Sequence, residues 1–182
     1  MSASASAQRT RDLVYCAVSA AIIAVCAWIT IPATVPFTMQ IFGIFMVLGL
    51  LGGRRGTTAI LVYLLLGAIG LPVFAGFSGG LGALLGTTGG YLLSYLLVGL
   101  LYWFLTARLG TSTPVVAVTM VLGLALCYAF GTAWFMIVYA RTSGAVGLVT
   151  ALGWCVFPFI IPDLVKIAMA IALSRVLRRH VR

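Results

Sequence analysis

Acidic residues are nearly missing from this chain: there are two, against eleven basic ones, in 182 residues. Asp12 stands beside Arg11 where an apolar run begins, which leaves Asp163 as the one carboxylate inside such a run. A lone intramembrane carboxylate makes no acid/base pair, which argues against an intramembrane hydrolase. Histidine is as scarce. His180 is the single one, close to the C-terminus, so histidine-based catalysis and most metal sites have no residues to use. Lysine occurs once, as Lys166, and no GxxxxGK[ST] is present. The chain therefore has no P-loop with which to bind ATP. The cysteines Cys16, Cys26, Cys127 and Cys155 form no CxxC pair and all sit in apolar stretches, where they read as small packing residues. No catalytic residue, metal or cofactor is expected.

What remains is apolar: 63% of residues are hydrophobic and 7% are charged, where a soluble domain carries roughly 25% charged residues. Several uncharged runs reach the ~20 residues that a helix needs to cross the hydrocarbon core. The net charge of +9 would point to nucleic acid in a soluble protein. Here the basic residues flank apolar runs, as in loops anchored at lipid headgroups, so the expected partner is the bilayer and not nucleic acid.

Residues 1–12 contain a Ser/Ala repeat and are expected to be a disordered tail, followed by one transmembrane domain over 13–182. The run 13–31 is too long for a signal-peptide core and reads as a retained first helix ended by Pro32 and Pro36. Further spans are expected over 37–53, 56–71, 90–107, 115–139 and 162–177. The stretch 76–90, GFSGGLGALLGTTGG, is too glycine-rich for an ordinary helix. Irregular backbone survives in a membrane only where protein or a water-filled cavity covers it. That stretch is therefore a candidate cavity wall or lid, the alternative being a flexible surface connection.

Charge decides between six and seven spans. With six, Arg9, Arg11, Arg54, Arg55, Arg108, Arg175, Arg178, Arg179 and Arg182 all fall on the cytoplasmic side and Arg141 alone on the other. A seventh span over 144–161 would send the basic C-terminus outside, against the positive-inside rule. That stretch is read as a buried or interfacial connection, partly helical. The expected fold is an all-α membrane protein of six helices with both termini cytoplasmic.

Asp163 and Lys166 are the only acid and the only ammonium inside the spans, three residues apart on one helical face. An ionisable group at the bilayer centre costs roughly 3 kcal/mol or more and marks a functional site by default. A purely structural pair is the alternative, since a carboxylate in a first helical turn is stabilised by free N–H groups and the helix dipole. Gln40, Phe77, Ser78, Tyr91, Trp134 and Tyr139 fall towards the same outer end and are candidate ligand contacts. Each aromatic alone is also what an interfacial belt contains. On the first helix Ala17 and Ala21, and Ala20 and Ala24, lie four apart. Such pairs permit close helix approach, either inside the protein or to a partner.

The chain resembles the BioY family, the biotin-specific substrate-binding subunits (S components) of energy-coupling factor transporters. The resemblance is carried by VPFTMQ at 35–40, LLLGAIGLPVFAGF at 64–77, TGGY at 88–91 and PDLVK at 162–166, and covers nearly the whole chain. It implies an S-component-like fold of six helices, with biotin held near the outer surface by Asp163 and Lys166 under closing loops. It implies as partners a transmembrane coupling subunit and two ATPase subunits, with an AxxxA face of the first helix touching the coupling subunit. The chain departs from the family at Thr87, where proline is frequent, and at Ser78, near which asparagine is frequent. The competing reading is a stand-alone oligomeric transporter for biotin or another vitamin, with a homo-oligomer as the assembly.

The arginine distribution makes the topology testable. Single cysteines at Ala5 and Arg182, in a chain otherwise freed of cysteine, are expected to resist an impermeant thiol reagent in intact prokaryotic cells. Labelling of Arg182→Cys from outside would make 144–161 a true span.

Overall fold

The computed structural model describes residues 3–181, with side chains described for 8–178. Its six long helices stand where six spans were expected: α1 (Ala3–Trp28), α2 (Gln40–Leu51), α3 (Gly53–Ala68), α5 (Gly89–Leu109), α6 (Thr113–Thr142) and α8 (Ile160–Val181). Two short helices, α4 (Leu81–Leu85) and α7 (Leu148–Cys155), lie in the connections. Residues 8–28 of α1, α5 and α6 are each long and apolar enough to cross a bilayer, and α7 with α8 forms a fourth such unit bent by 43°. At 12 and 16 residues, α2 and α3 are shorter than the ~20 of a full span.

Turn chemistry sets the chain path. Gly52, the single residue between α2 and α3, has φ +80°, a left-handed conformation that costs a residue without Cβ little. It reverses the chain so that Gln40 at the start of α2 meets Tyr63 near the end of α3. Pro32 and Pro36 interrupt the run after α1, and Thr30–Ile31 (β1) pairs antiparallel with Phe37–Thr38 (β2) in a two-stranded ribbon. Pro162 is the third residue of α8, where its missing N–H has no intrahelical acceptor to lose. The 144–161 stretch holds the eight-residue α7 and the first two residues of α8, a partly helical connection and not a separate span.

The first helix begins at Ala3, ahead of the Leu13 start expected from the apolar run. Residues 3–12 are alanine, serine, glutamine and arginine in the main, several of them good helix formers. Asp12 ties the lower part of α1 to α3 through Arg55 at 2.9 Å. Within the bundle α5 lies along α6, α2 along α8, and α3 between α1 and α5.

The two ends of the bundle differ. The ribbon, the glycine-rich connection after α3 and the α7 segment share one end, the ribbon end. Arg9, Arg11, Arg54, Arg55, Arg108, Arg175 and Arg178 fall towards the other, the arginine end, where Arg178 donates to the Leu50 carbonyl at 3.4 Å and Arg175 donates to Thr113. Arg179, His180 and Arg182, expected at this end, lie outside the described side chains.

Phase along α1 separates its two alanine pairs. Ala20 and Ala24 are 1% and 4% exposed and pack inside the chain, so they present nothing to a partner. Ala17 and Ala21 are exposed on the outer face.

Close packing of α5 on α6 requires Gly131, where a Cβ would fall 2.3 Å from the Tyr91 ring. Overpacking of this kind costs about 1–3 kcal/mol. Gly131→Ala is expected to lower the melting midpoint in detergent and to displace Tyr91. A midpoint equal to that of the parent would contradict this packing.

Candidate ligand-binding site

A cavity of about 290 Å³ opens at the ribbon end, near the lower limit of the ~300–1,000 Å³ typical of small-molecule sites. Its polar anchor follows from the local sequence of α8. Its first two turns place Asp163 and Lys166, three residues apart, on one face, and both are buried, at 3% and 4% exposure. Lys166 Nζ donates to Asp163 Oδ1 at 2.8 Å and to the Thr38 carbonyl of β2 at 2.7 Å. It also lies 3.7 Å from the centroid of the Phe37 ring, a cation–π contact. The other carboxylate oxygen, Oδ2, accepts from the Tyr128 hydroxyl of α6 at 2.7 Å.

Two of the three ammonium protons are thus committed, and each carboxylate oxygen has accepted one bond with capacity for more. With the ammonium also seated on the Phe37 ring, the capacity left is mainly that of the two carboxylate oxygens to accept further bonds. Asp163 and Lys166 also both line the cavity.

The rest of the wall is built by neighbouring elements. Gln40 Nε2 donates to the Tyr63 hydroxyl at 2.6 Å, and that hydroxyl donates to the Val73 carbonyl at 3.1 Å. This chain ties α2 and α3 to the connection that carries Phe74 and Ser78 into the wall. Tyr91 is held by Thr132 at 2.9 Å, hydroxyl to hydroxyl. Tyr95, one turn further along α5, lines the same space with Leu92, Cys127 and Phe159. Phe159 stacks on Phe37 at 5.8 Å between centroids. The arrangement is an apolar, aromatic box with a charged pair at one side, suited to a small ring compound with a few hydrogen-bonding groups.

Of the residues singled out from the sequence, Asp163, Lys166, Gln40, Tyr91 and Ser78 meet at the cavity. Phe77, Trp134 and Tyr139 are not among its lining residues. Phe77, with φ +57°, turns outward to 64% exposure and stacks on Trp28 at 5.1 Å. Trp134 donates to the Gly86 carbonyl at 2.9 Å and so fixes the glycine-rich connection from outside. Tyr139 packs between Phe135 and Trp154.

Sequence reasoning missed Tyr128, Tyr95, Phe74, Phe159, Cys127 and Cys155. The Tyr91–Tyr95 spacing of four was a usable signal for one aromatic face. Tyr128 offered only a hydroxyl in the middle of an apolar helix. The two cysteines are buried and free, as packing residues are, yet both also touch the cavity.

The family model described as BioY family matches residues 1–182. A Thermotoga maritima protein named biotin transporter BioY is 38% identical over 172 residues, covering 93% of this chain and 96% of that one. A Rhizobium etli protein of the same name is 37% identical over 180 residues, covering 91% and 92%. Among solved structures, the S-component for biotin from an ECF-type ABC transporter superposes with a TM-score of 0.84 at 30% identity, over 98% of this chain and 95% of that chain.

Proposed function

Because the chain belongs to the BioY family, we propose that it is the membrane-embedded substrate-binding subunit of a biotin uptake system, a transporter component and not an enzyme. The observation that carries this is the buried Asp163–Lys166 pair on the wall of an aromatic cavity at the ribbon end, in a fold matching a biotin S-component. Biotin's ureido ring has two N–H donors and one carbonyl acceptor. Asp163 accepts from the N–H groups, and Lys166 donates to the carbonyl or holds the carboxylate in place. Tyr128, also on the cavity wall, fixes the carboxylate. The apolar ring system packs on Tyr91, Tyr95, Phe74 and Phe159. Gln40 holds the neighbouring wall, and Ser78, whose hydroxyl donates to the Ala75 carbonyl at 2.8 Å, lines the cavity.

The ribbon end is the outer end in this reading, and both termini are cytoplasmic in a prokaryotic cell membrane. The chain carries no nucleotide-binding motif, so concentrative uptake draws on a separate module of a coupling subunit and two ATPase subunits. The exposed Ala17 and Ala21 face of α1 is the surface on which a partner helix approaches closely.

Two measurements test the reading. Labelled biotin should bind the purified chain, and Asp163→Asn, which replaces an acceptor-only group by one that also donates, should weaken binding at least ~tenfold, from the ~1.5–3 kcal/mol of a charged hydrogen bond. Parent-like affinity in a folded Asp163→Asn protein would make the pair structural. Ala17→Trp should leave biotin binding intact, reduce uptake and reduce copurification with ATPase subunits. Undiminished uptake by a chain that copurifies with no ATPase would favour the stand-alone oligomer instead.

A further inference from the structure

A second concavity, of about 800 Å³, lies at the arginine end between α1, α3 and α5. Its lining changes character with depth. On α3 it includes Arg54, Thr58 and Val62, four residues apart on one face, so it runs ~12 Å into the bundle at ~1.5 Å per residue. On α1 it passes from Arg9 to Cys16. The guanidinium groups stand at the mouth with Leu13 and Leu51 beside them, Cys16 sits level with the Arg55 carbonyl at 3.7 Å, and Val62 marks the deep end.

Charge at the mouth is not balanced. Asp12 is the only carboxylate there, and it pairs with Arg55 at 2.9 Å. The chain's other carboxylate, Asp163, is paired with Lys166 at the opposite end. Arg9 and Arg54 are exposed and have no acidic partner among the described residues. The first turn of α3 contains no acid and its N-cap Gly52 supplies no side-chain acceptor, so the helix dipole adds positive potential at the same place. Trp103 of α5, 42% exposed, lines the groove as well, an amphipathic ring of the kind that sits at headgroup level.

We propose that this groove binds one anionic phospholipid of the cytoplasmic leaflet. Arg9 and Arg54, with Arg55, hold the phosphate, and an acyl chain runs inward along Cys16 and Val62. An inorganic phosphate satisfies only the mouth and leaves the apolar deep end uncovered. A lipid matches both parts in the observed order. The proposal rests on the membrane orientation and not on the biotin site.

Native mass spectrometry of the purified full-length chain, offered equal amounts of phosphatidylglycerol and phosphatidylcholine, tests it. One phosphatidylglycerol should be retained at least ~tenfold over phosphatidylcholine, as two basic side chains near a surface imply. Arg9→Gln with Arg54→Gln should abolish that preference while melting midpoint and biotin binding stay at parent values. Val62→Trp, which fills the deep end without altering charge, should also lose the retained lipid, and it decides the matter if the double variant fails to fold. Equal retention of both lipids, or an unaltered preference in the variants, overturns the proposal. So does displacement by excess inorganic phosphate from the parent chain, which would identify a phosphate site. Loss of ATPase copurification in the double variant with lipid preference unchanged would make the groove a protein-docking face and overturn it too. Each readout is retained lipid or assembly, so failure here leaves the biotin reading standing.

Discussion

Stripping water from a carboxylate and an ammonium costs several kcal/mol each even after a protein relaxes around them, and this chain does it once, at Asp163 and Lys166. The geometry offsets that cost with three contacts drawn from two other elements: the Thr38 carbonyl and the Phe37 ring of β2, and the Tyr128 hydroxyl of α6. The pair therefore acts on the fold beyond its own helix. Lys166 ties the ribbon to α8, and Tyr128 ties α6 to it. Removing either charge alone would leave the other buried without its partner, the costly case.

The same arrangement explains why the cavity lies where it does. Helices of unequal length leave space at the ribbon end, where α2 is short and α7 is set at an angle to α8. The glycine-rich connection closes that space from the side and is held in two places by indole donors, Trp28 to the Pro72 carbonyl at 2.8 Å and Trp134 to the Gly86 carbonyl at 2.9 Å. One side of this irregular backbone is thus held against the bundle, while Phe77, Leu81 and Leu85 stay exposed on the other. Ala75, Ser78, Ala83 and Thr88 of this stretch all reach the cavity wall.

Scarcity made part of this legible from residues alone. Two ionisable groups in otherwise uncharged spans stand out by type, and a spacing of three puts them on one face. The glycine-rich stretch stood out by composition, and the six long helices by run length. Helical phase is what run length does not contain. Ala20 and Ala24 look like Ala17 and Ala21 in sequence, but one pair faces the core and the other the surface. Trp134 and Tyr139 lie in the same ribbon-end part of α6 as its cavity-facing residues, yet their side chains brace a loop and an aromatic cluster. Phe77 is turned away by a left-handed backbone angle with no signature beyond the glycine before it. Tyr128 was missed because its importance comes from a partner 35 positions away, and only packing brings that partner near.

The central claim is that Asp163 and Lys166 act as one unit in holding biotin. A double-mutant cycle of Asp163→Asn and Lys166→Met, read by biotin affinity in proteins shown to be folded, tests it most directly. Groups sharing one hydrogen-bond network couple by about 0.5–3 kcal/mol. The account predicts that each single change weakens binding strongly and that the double change costs far less than their sum. Additive effects, or affinities that match the parent in all three variants, would contradict it.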